Sequence, residues 1–211
     1  MDAASALGAK EPASAAAAEP AAIADHDLLR AYVAGDHAAF ASLYDRHELA
    51  LFRFLRRSVA DQQVAEDLLQ ETWLSVIRVA ASYEPRAAFR TWLFRIARSK
   101  LVDHWRGREP ATVLSLEAPA ANDPELLLGA TIAADAALQP EPQVLGRAQA
   151  AAFVAAVEAL PAAQREAFLL HAEGDLGVAD IAAVTGVGVE TAKSRLRYAV
   201  AKLRSVREAW S

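Results

Sequence analysis

Apolar positions recur three and four residues apart over two stretches of the chain, and that period is lost between them. Asp27 is placed to cap a short helix through Val33, and Gly35 to stop it. From about Asp36, the residues Phe40, Leu43, Tyr44, His47, Leu51 and Phe54 mark one face of a longer helix. A third helix is expected from Asp61 to about Ala80, with Val64, Leu68, Trp73, Val76 and Ile77 as its apolar set. Proline restricts the residue before it, so the chain turns around Tyr83-Glu84-Pro85. A fourth helix then runs from about Ala87 to Trp105, with Phe89, Trp92, Leu93 and Ile96 on one stripe. The helical period returns near Arg147. Phe153, Val154, Val157 and Leu160 form one apolar set, and Pro161 suits the start of the next helix, which carries Phe168, Leu169 and Leu170. No strand period stands out, so the expected fold class is all-α: two small helical bundles joined by a long flexible linker.

Composition sharpens that division. Between Gly107 and Gly146, Pro110, Pro119, Pro124, Pro140 and Pro142 break the chain, and acidic residues outnumber basic ones. A structureless stretch of this length is improbable inside one compact domain, so it marks a boundary. The expected units are a disordered Ala/Pro-rich leader (1–24), a first module (25–107), a linker (108–146) with a transient helix from Leu126 to Leu138, and a second module (147–211). The leader lacks a basic start followed by a leucine-rich run, so it does not read as a signal peptide. No apolar run is long enough to cross a bilayer, which argues against membrane insertion. The absence of cysteine excludes disulfides and thiolate metal sites and fits a reducing cytoplasm. His26, His37, His47, His104 and His171 are scattered, with no zinc-ligand spacing. Gly186 and Gly188 form a turn pair rather than a phosphate loop. No catalytic residue, metal or cofactor is expected, and the chain does not read as an enzyme.

The stretch GVADIAAVTGVGVETAKSRL, Gly177 to Leu196, has the pattern of a helix-turn-helix. A short helix from Val178 to Val184 turns Ile181 and Val184 inward. Ala182 allows two helices to cross closely, Gly186 supplies the turn, and Val187 plugs the corner. On the second helix Ala192, Leu196, Ala199 and Leu203 share one face. Glu190, Thr191, Ser194 and Tyr198 point away from it, with Lys193 and Arg195 on the shoulders and Arg197 towards the exposed side. Polar groups at the centre and cations at the flanks suit a helix that reads base edges and holds phosphates.

The first module carries a second basic surface. Arg86, Arg90, Arg95, Arg98, Lys100, Arg106 and Arg108 oppose only Asp103, and Phe89, Trp92, Phe94 and Trp105 are interleaved with them. Arginine among aromatics suits single-stranded nucleic acid, because rings stack on bases while cations follow the backbone. Phe89 and Trp92 belong to the core stripe. The exposed candidates are therefore Arg90, Thr91, Arg95, Arg98 and Trp105, with the loop from Tyr83 to Arg86. The preceding helix, with Asp61, Glu66, Asp67 and Glu71 beside Gln70, is acidic. One protein partner and one nucleic-acid partner reconcile these surfaces with a formal net charge of −5.

At this point the sequence resembles the extracytoplasmic-function (ECF) group of bacterial RNA polymerase sigma factors, over nearly all of Asp25 to Arg207 apart from the linker. FASLYDRHELALFRFLRR resembles the family's region 2.1, VAEDLLQETWLSVIR its region 2.2, and FRTWLFRIARSKLVDHWR its regions 2.3 to 2.4. LPAAQREAFLLHAEGDLGVADIAAVTGVGVETAKSRLRYAVAKLR resembles region 4, with Ala179-Asp180 standing where the family often has a polar or acidic pair. The resemblance implies that core RNA polymerase is gripped by Asp67, Gln70, Glu71 and Trp73. It implies that Tyr83, Glu84 and Arg86, with Arg90, Arg95 and Arg98, meet the melted minus-10 element and a flipped base. Thr191, Lys193, Ser194, Arg195, Arg197 and Tyr198 would dock in the duplex minus-35 element. The linker would thread through the polymerase, its acidic bias imitating RNA. An anti-sigma protein often occludes both blocks in this family, and no residue here identifies one. The rival is a stand-alone helix-turn-helix regulator that binds duplex DNA as a dimer.

Overall fold

The computed structural model describes residues 23–108 and 146–208; the leader through residue 22, the linker with its expected Leu126–Leu138 helix, and the last three residues lie outside this description. Among the described residues there are eight α-helices and one short 3-10 turn. In the first module these are α1 (Asp25–Val33), α2 (His37–Ser58), α3 (Gln62–Val79), the turn Ala80–Ser82 and α4 (Phe89–Arg108). In the second they are α5 (Arg147–Glu158), α6 (Ala162–Ala172), α7 (Val178–Thr185) and α8 (Val189–Glu208).

Local chemistry sets the boundaries. Asp36 accepts from the backbone N–H of Ala38 at 2.9 Å and Ala39 at 3.3 Å, and Asp61 accepts from Gln63 N–H at 2.8 Å. Each carboxylate satisfies donors that a helix start leaves unpaired. Asp27 does not cap α1 as expected. The N-cap is Ala24, and Asp27 sits in the first turn, where its charge still complements the helix dipole.

Leu43, Leu51, Phe54, Leu55, Ala65, Val76, Leu93, Phe94, Ala97 and Leu101 are sealed in the first module. Ile181, Ala182, Val184, Ala192, Leu196, Ala199 and Leu203 are buried in the second, where α8 packs on α6 and α7. The helical period anticipates most of this core. It does not anticipate that α4 also packs directly against α7, bringing the two modules into contact. Among the described residues no helix is long and apolar enough to cross a membrane.

Candidate polymerase and nucleic-acid interfaces

The outer face of α3 is less acidic in effect than its sequence suggests. Phe40, Tyr44, Leu69, Gln70, Leu74 and Ile77 border an open, mainly apolar groove of about 240 Å³ between α2 and α3. Leu74 is 49% exposed and Ile77 40%. Ile77 was expected to face inward and does not, because the inward side of that turn is already filled by Trp73 and Val76. Trp73 itself is only 4% exposed, its ring 5.7 Å from Phe40 and 5.0 Å from Tyr44. Its role is therefore to build the groove floor rather than to offer a free surface. Asp67, Gln70 and Glu71 are exposed as expected. Asp67 accepts from Gln63 Nε2 at 3.1 Å, and Glu71 lies 3.8 Å from Lys100 on α4.

The loop before α4 combines order with exposure. The Tyr83 ring packs 4.7 Å from Trp92 and 6.1 Å from Phe89, and burial raises its hydroxyl pKa. Glu84 and Arg86 are exposed and pair with each other at 2.5 Å. On α4, Arg95 and Trp105 are exposed as expected, whereas Arg90 and Arg98 are half-buried. Thr91, expected to be exposed, is only 4% so, because its hydroxyl donates to Asp180 of the second module at 2.8 Å. Phe94, grouped in the sequence with the interleaved aromatics, is fully buried, its ring 5.3 Å from Phe54.

The helix-turn-helix corner forms as its sequence requires. Gly186 takes the left-handed conformation at φ +74° and donates its N–H to the Ala182 carbonyl at 2.9 Å; Val187 N–H reaches the same carbonyl at 3.2 Å. Buried Ala182 lets α8 cross α7 closely. Along α8, Thr191, Lys193, Arg197 and Tyr198 are exposed, while Ser194 and Arg195 are half-buried. The Arg197 guanidinium lies 5.2 Å from the Tyr198 ring centre, and Lys193 lies 3.9 Å from Glu190. One outward strip of a single helix thus carries hydroxyls, cations and an aromatic.

The molecule therefore joins an open, mainly apolar groove to two basic helices, one in each module. Residues 43–110 match the Sigma-70 region 2 family, and residues 150–203 match the Sigma-70 region 4 family. The chain is 30% identical to RNA polymerase sigma factor CnrH of Cupriavidus metallidurans, over 88% of this chain and 95% of that protein. It is 33% identical to ECF RNA polymerase sigma factor SigM of Mycobacterium tuberculosis, over 85% and 82% respectively. ECF RNA polymerase sigma factor RpoE of Cereibacter sphaeroides is 34% identical over 80% of this chain and 86% of its own length. The structure of CnrH in complex with the cytosolic domain of CnrY superposes with a TM-score of 0.60 at 25% identity, covering 89% of this chain and 99% of that one. Two region matches in order, and relatives aligned along most of their length, set this protein apart from a stand-alone helix-turn-helix regulator: the chain belongs to the sigma-70 family of bacterial RNA polymerase sigma factors, in its ECF group, and directs promoter-specific initiation of transcription.

Proposed function

We propose that the first module, residues 25–107, supplies region 2 and that the second, 147–211, supplies region 4, with three surfaces dividing the work. The α2–α3 groove takes core RNA polymerase through exposed Gln70, Leu74 and Ile77, with Asp67 and Glu71 at its margin and Trp73 as its floor. The Tyr83–Arg86 loop and Arg90, Arg95 and Arg98 of α4 hold the melted minus-10 strand, where stacking and backbone cations offset the cost of extracting a base. Thr191, Lys193, Ser194, Arg195, Arg197 and Tyr198 read the duplex minus-35 element in the major groove. The observation that carries this reading is the outward strip of α8 behind a correctly turned Gly186 corner. The protein acts in the cytoplasm, where polymerase and promoter meet. An anti-sigma protein, implied by the family resemblance, is a further partner; the similar CnrH is solved in complex with the cytosolic domain of CnrY.

The test is reconstitution with core polymerase on a library of duplexes with randomised upstream sequence, followed by sequencing of run-off transcripts. Transcripts should be enriched in paired minus-35 and minus-10 motifs. Arg195→Ala should weaken minus-35 selection by about 1–3 kcal/mol and leave core binding intact. Ile77→Asp should weaken core binding about tenfold or more, since it places a charge in an apolar contact. Transcripts with no common upstream motif would overturn the reading.

A further inference from the structure

Three ion pairs and a hydrogen bond join the modules around the contact of α4 with α7. Arg57 Nε lies 3.0 Å from Glu173, Arg90 Nη1 3.2 Å from Asp175, and Arg98 Nε 2.8 Å from Glu166. The Thr91 hydroxyl donates to Asp180 at 2.8 Å. Beside these contacts α4 and the end of α7 line an open cleft of about 310 Å³, large enough for a small molecule.

The two walls differ in chemistry. The α4 wall carries Arg95, Arg98 and Arg106 against a single acid, Asp103. Arg95 and Arg106 are eleven positions apart, three helical turns, and so share one face. Both are exposed, and neither has a hydrogen-bond or ion-pair partner among the described residues. Their Cα atoms lie about 16 Å apart along the axis, with Arg98 between them. This is a row of guanidinium groups rather than a point, and it suits phosphates in a chain.

The opposite wall offers acceptors. It is the carboxy-terminal end of α7 and its turn, Ala183 to Gly186. Gly186 N–H and Val187 N–H both go to the Ala182 carbonyl, so neither reaches the carbonyls of Ala183 and Val184. A helix end leaves such carbonyls to outside donors, and its dipole favours positive charge there over negative. The Thr185 hydroxyl gives its hydrogen to the Ile181 carbonyl at 2.6 Å, which leaves it only lone pairs to offer. Val102 and Val184 add apolar contact among these polar groups.

An inorganic polyphosphate satisfies only the α4 wall, and a simple amine is repelled by it. A ligand with phosphates at one end and an amino-bearing base at the other satisfies both, with Asp103 as an acceptor for ribose hydroxyls. We infer that the α4–α7 cleft binds a nucleoside triphosphate whose base carries an exocyclic amino group, its phosphates along Arg95, Arg98 and Arg106 and its amino group at the α7 carbonyls. The bound nucleotide withholds Arg95 and Arg98 from nucleic acid. That consequence rests on the proposed role of α4 at the minus-10 strand; the binding itself does not.

The test is titration calorimetry on the full chain at about 0.15 M salt, without polymerase. ATP and GTP should bind with a Kd below about 1 mM. Inorganic tripolyphosphate should bind about tenfold more weakly, as should purine riboside triphosphate and inosine triphosphate, which lack the exocyclic amino group. Arg95→Ala combined with Arg106→Ala should weaken ATP and GTP about tenfold or more. Ala183 is exposed on the cleft wall, so Ala183→Phe should fill the cleft and abolish binding while keeping the urea midpoint of the parent. No ATP or GTP binding below about 1 mM would overturn the inference. So would tripolyphosphate that binds as tightly as the nucleotides, the mark of general attraction to polyanions, or a folded Ala183→Phe chain that binds as well as the parent. Ala183 belongs to none of the three proposed surfaces, so its variant should keep promoter selection on the randomised library. Nucleotide binding without promoter selection defeats the functional reading alone, and promoter selection by a chain that binds no nucleotide defeats the cleft alone.

Discussion

His47 shows how one side chain ties an element into place and leaves a pH signature. It lies on the apolar stripe of α2, is 2% exposed, and its Nε2–H donates to Asp25 Oδ2 at 2.8 Å. Arg46 pairs with the other oxygen of Asp25, so one carboxylate at the start of α1 fastens that helix to α2. Nδ1 is buried with no partner, which suits a lone pair and not a second N–H. Burial accordingly pushes the imidazole below its ordinary value, and the neighbouring Asp25 opposes this only in part. The unfolded chain then takes up this proton first, at about pH 6.5. Folding stability should be full above that pH and decline as pH falls from about 6.5 towards the lower folded-state value. Urea denaturation across this range should show the decline, and His47→Leu should flatten it; an unchanged slope would mean that other groups carry it. Sequence placed His47 in the helical stripe, but the Asp25 partner lies on another helix and left no local signal.

At the scale of elements, the helix-turn-helix was the most legible part of the chain. Its spacing depends on i to i+4 contacts and one left-handed residue, both written locally. Nothing lies within 4 Å of where a Gly186 Cβ would sit, so Gly186→Ala introduces strain without a clash. It should cost the protein about 1 kcal/mol in urea denaturation, whereas a neutral result would mean that the corner tolerates a shifted α8. The α3 helix was harder to read. Leu74 and Ile77, three residues apart on its outer side, form a second apolar strip beside the inward one. Periodicity registers such a strip but does not say which of two adjacent strips faces the core. The bulk of Trp73, packed against Phe40 and Tyr44, settles that choice.

For the whole molecule, the packing of α4 on α7 makes the two modules partly one cooperative unit. Calorimetry at about 0.05 M salt should give a single dominant unfolding transition, and at about 0.5 M salt two resolved ones, as screening uncouples the halves. Two transitions at both salt levels would show that the contact adds nothing to stability. That contact also changes the meaning of the net charge. The sequence pointed to acidic residues belonging to a protein partner and basic ones to nucleic acid. The tertiary structure adds a third use, in which Glu166, Glu173 and Asp175 of one module neutralise Arg98, Arg57 and Arg90 of the other.

Sequence by itself determined the helices, the helix starts near Asp36 and Asp61, the Gly186 corner, the inward face of α8 and the family, because each depends on residues a few positions apart or on a motif read in order. Only the tertiary structure decided that Thr91 is buried, that Arg90 and Arg98 are engaged, that Trp73 is floor rather than surface, and that α4 rests on α7. Those outcomes depend on side chains more than sixty residues apart in the case of Arg98 and Glu166. The free energy of such a meeting is set by shape and charge across a surface, which no periodicity along the chain encodes.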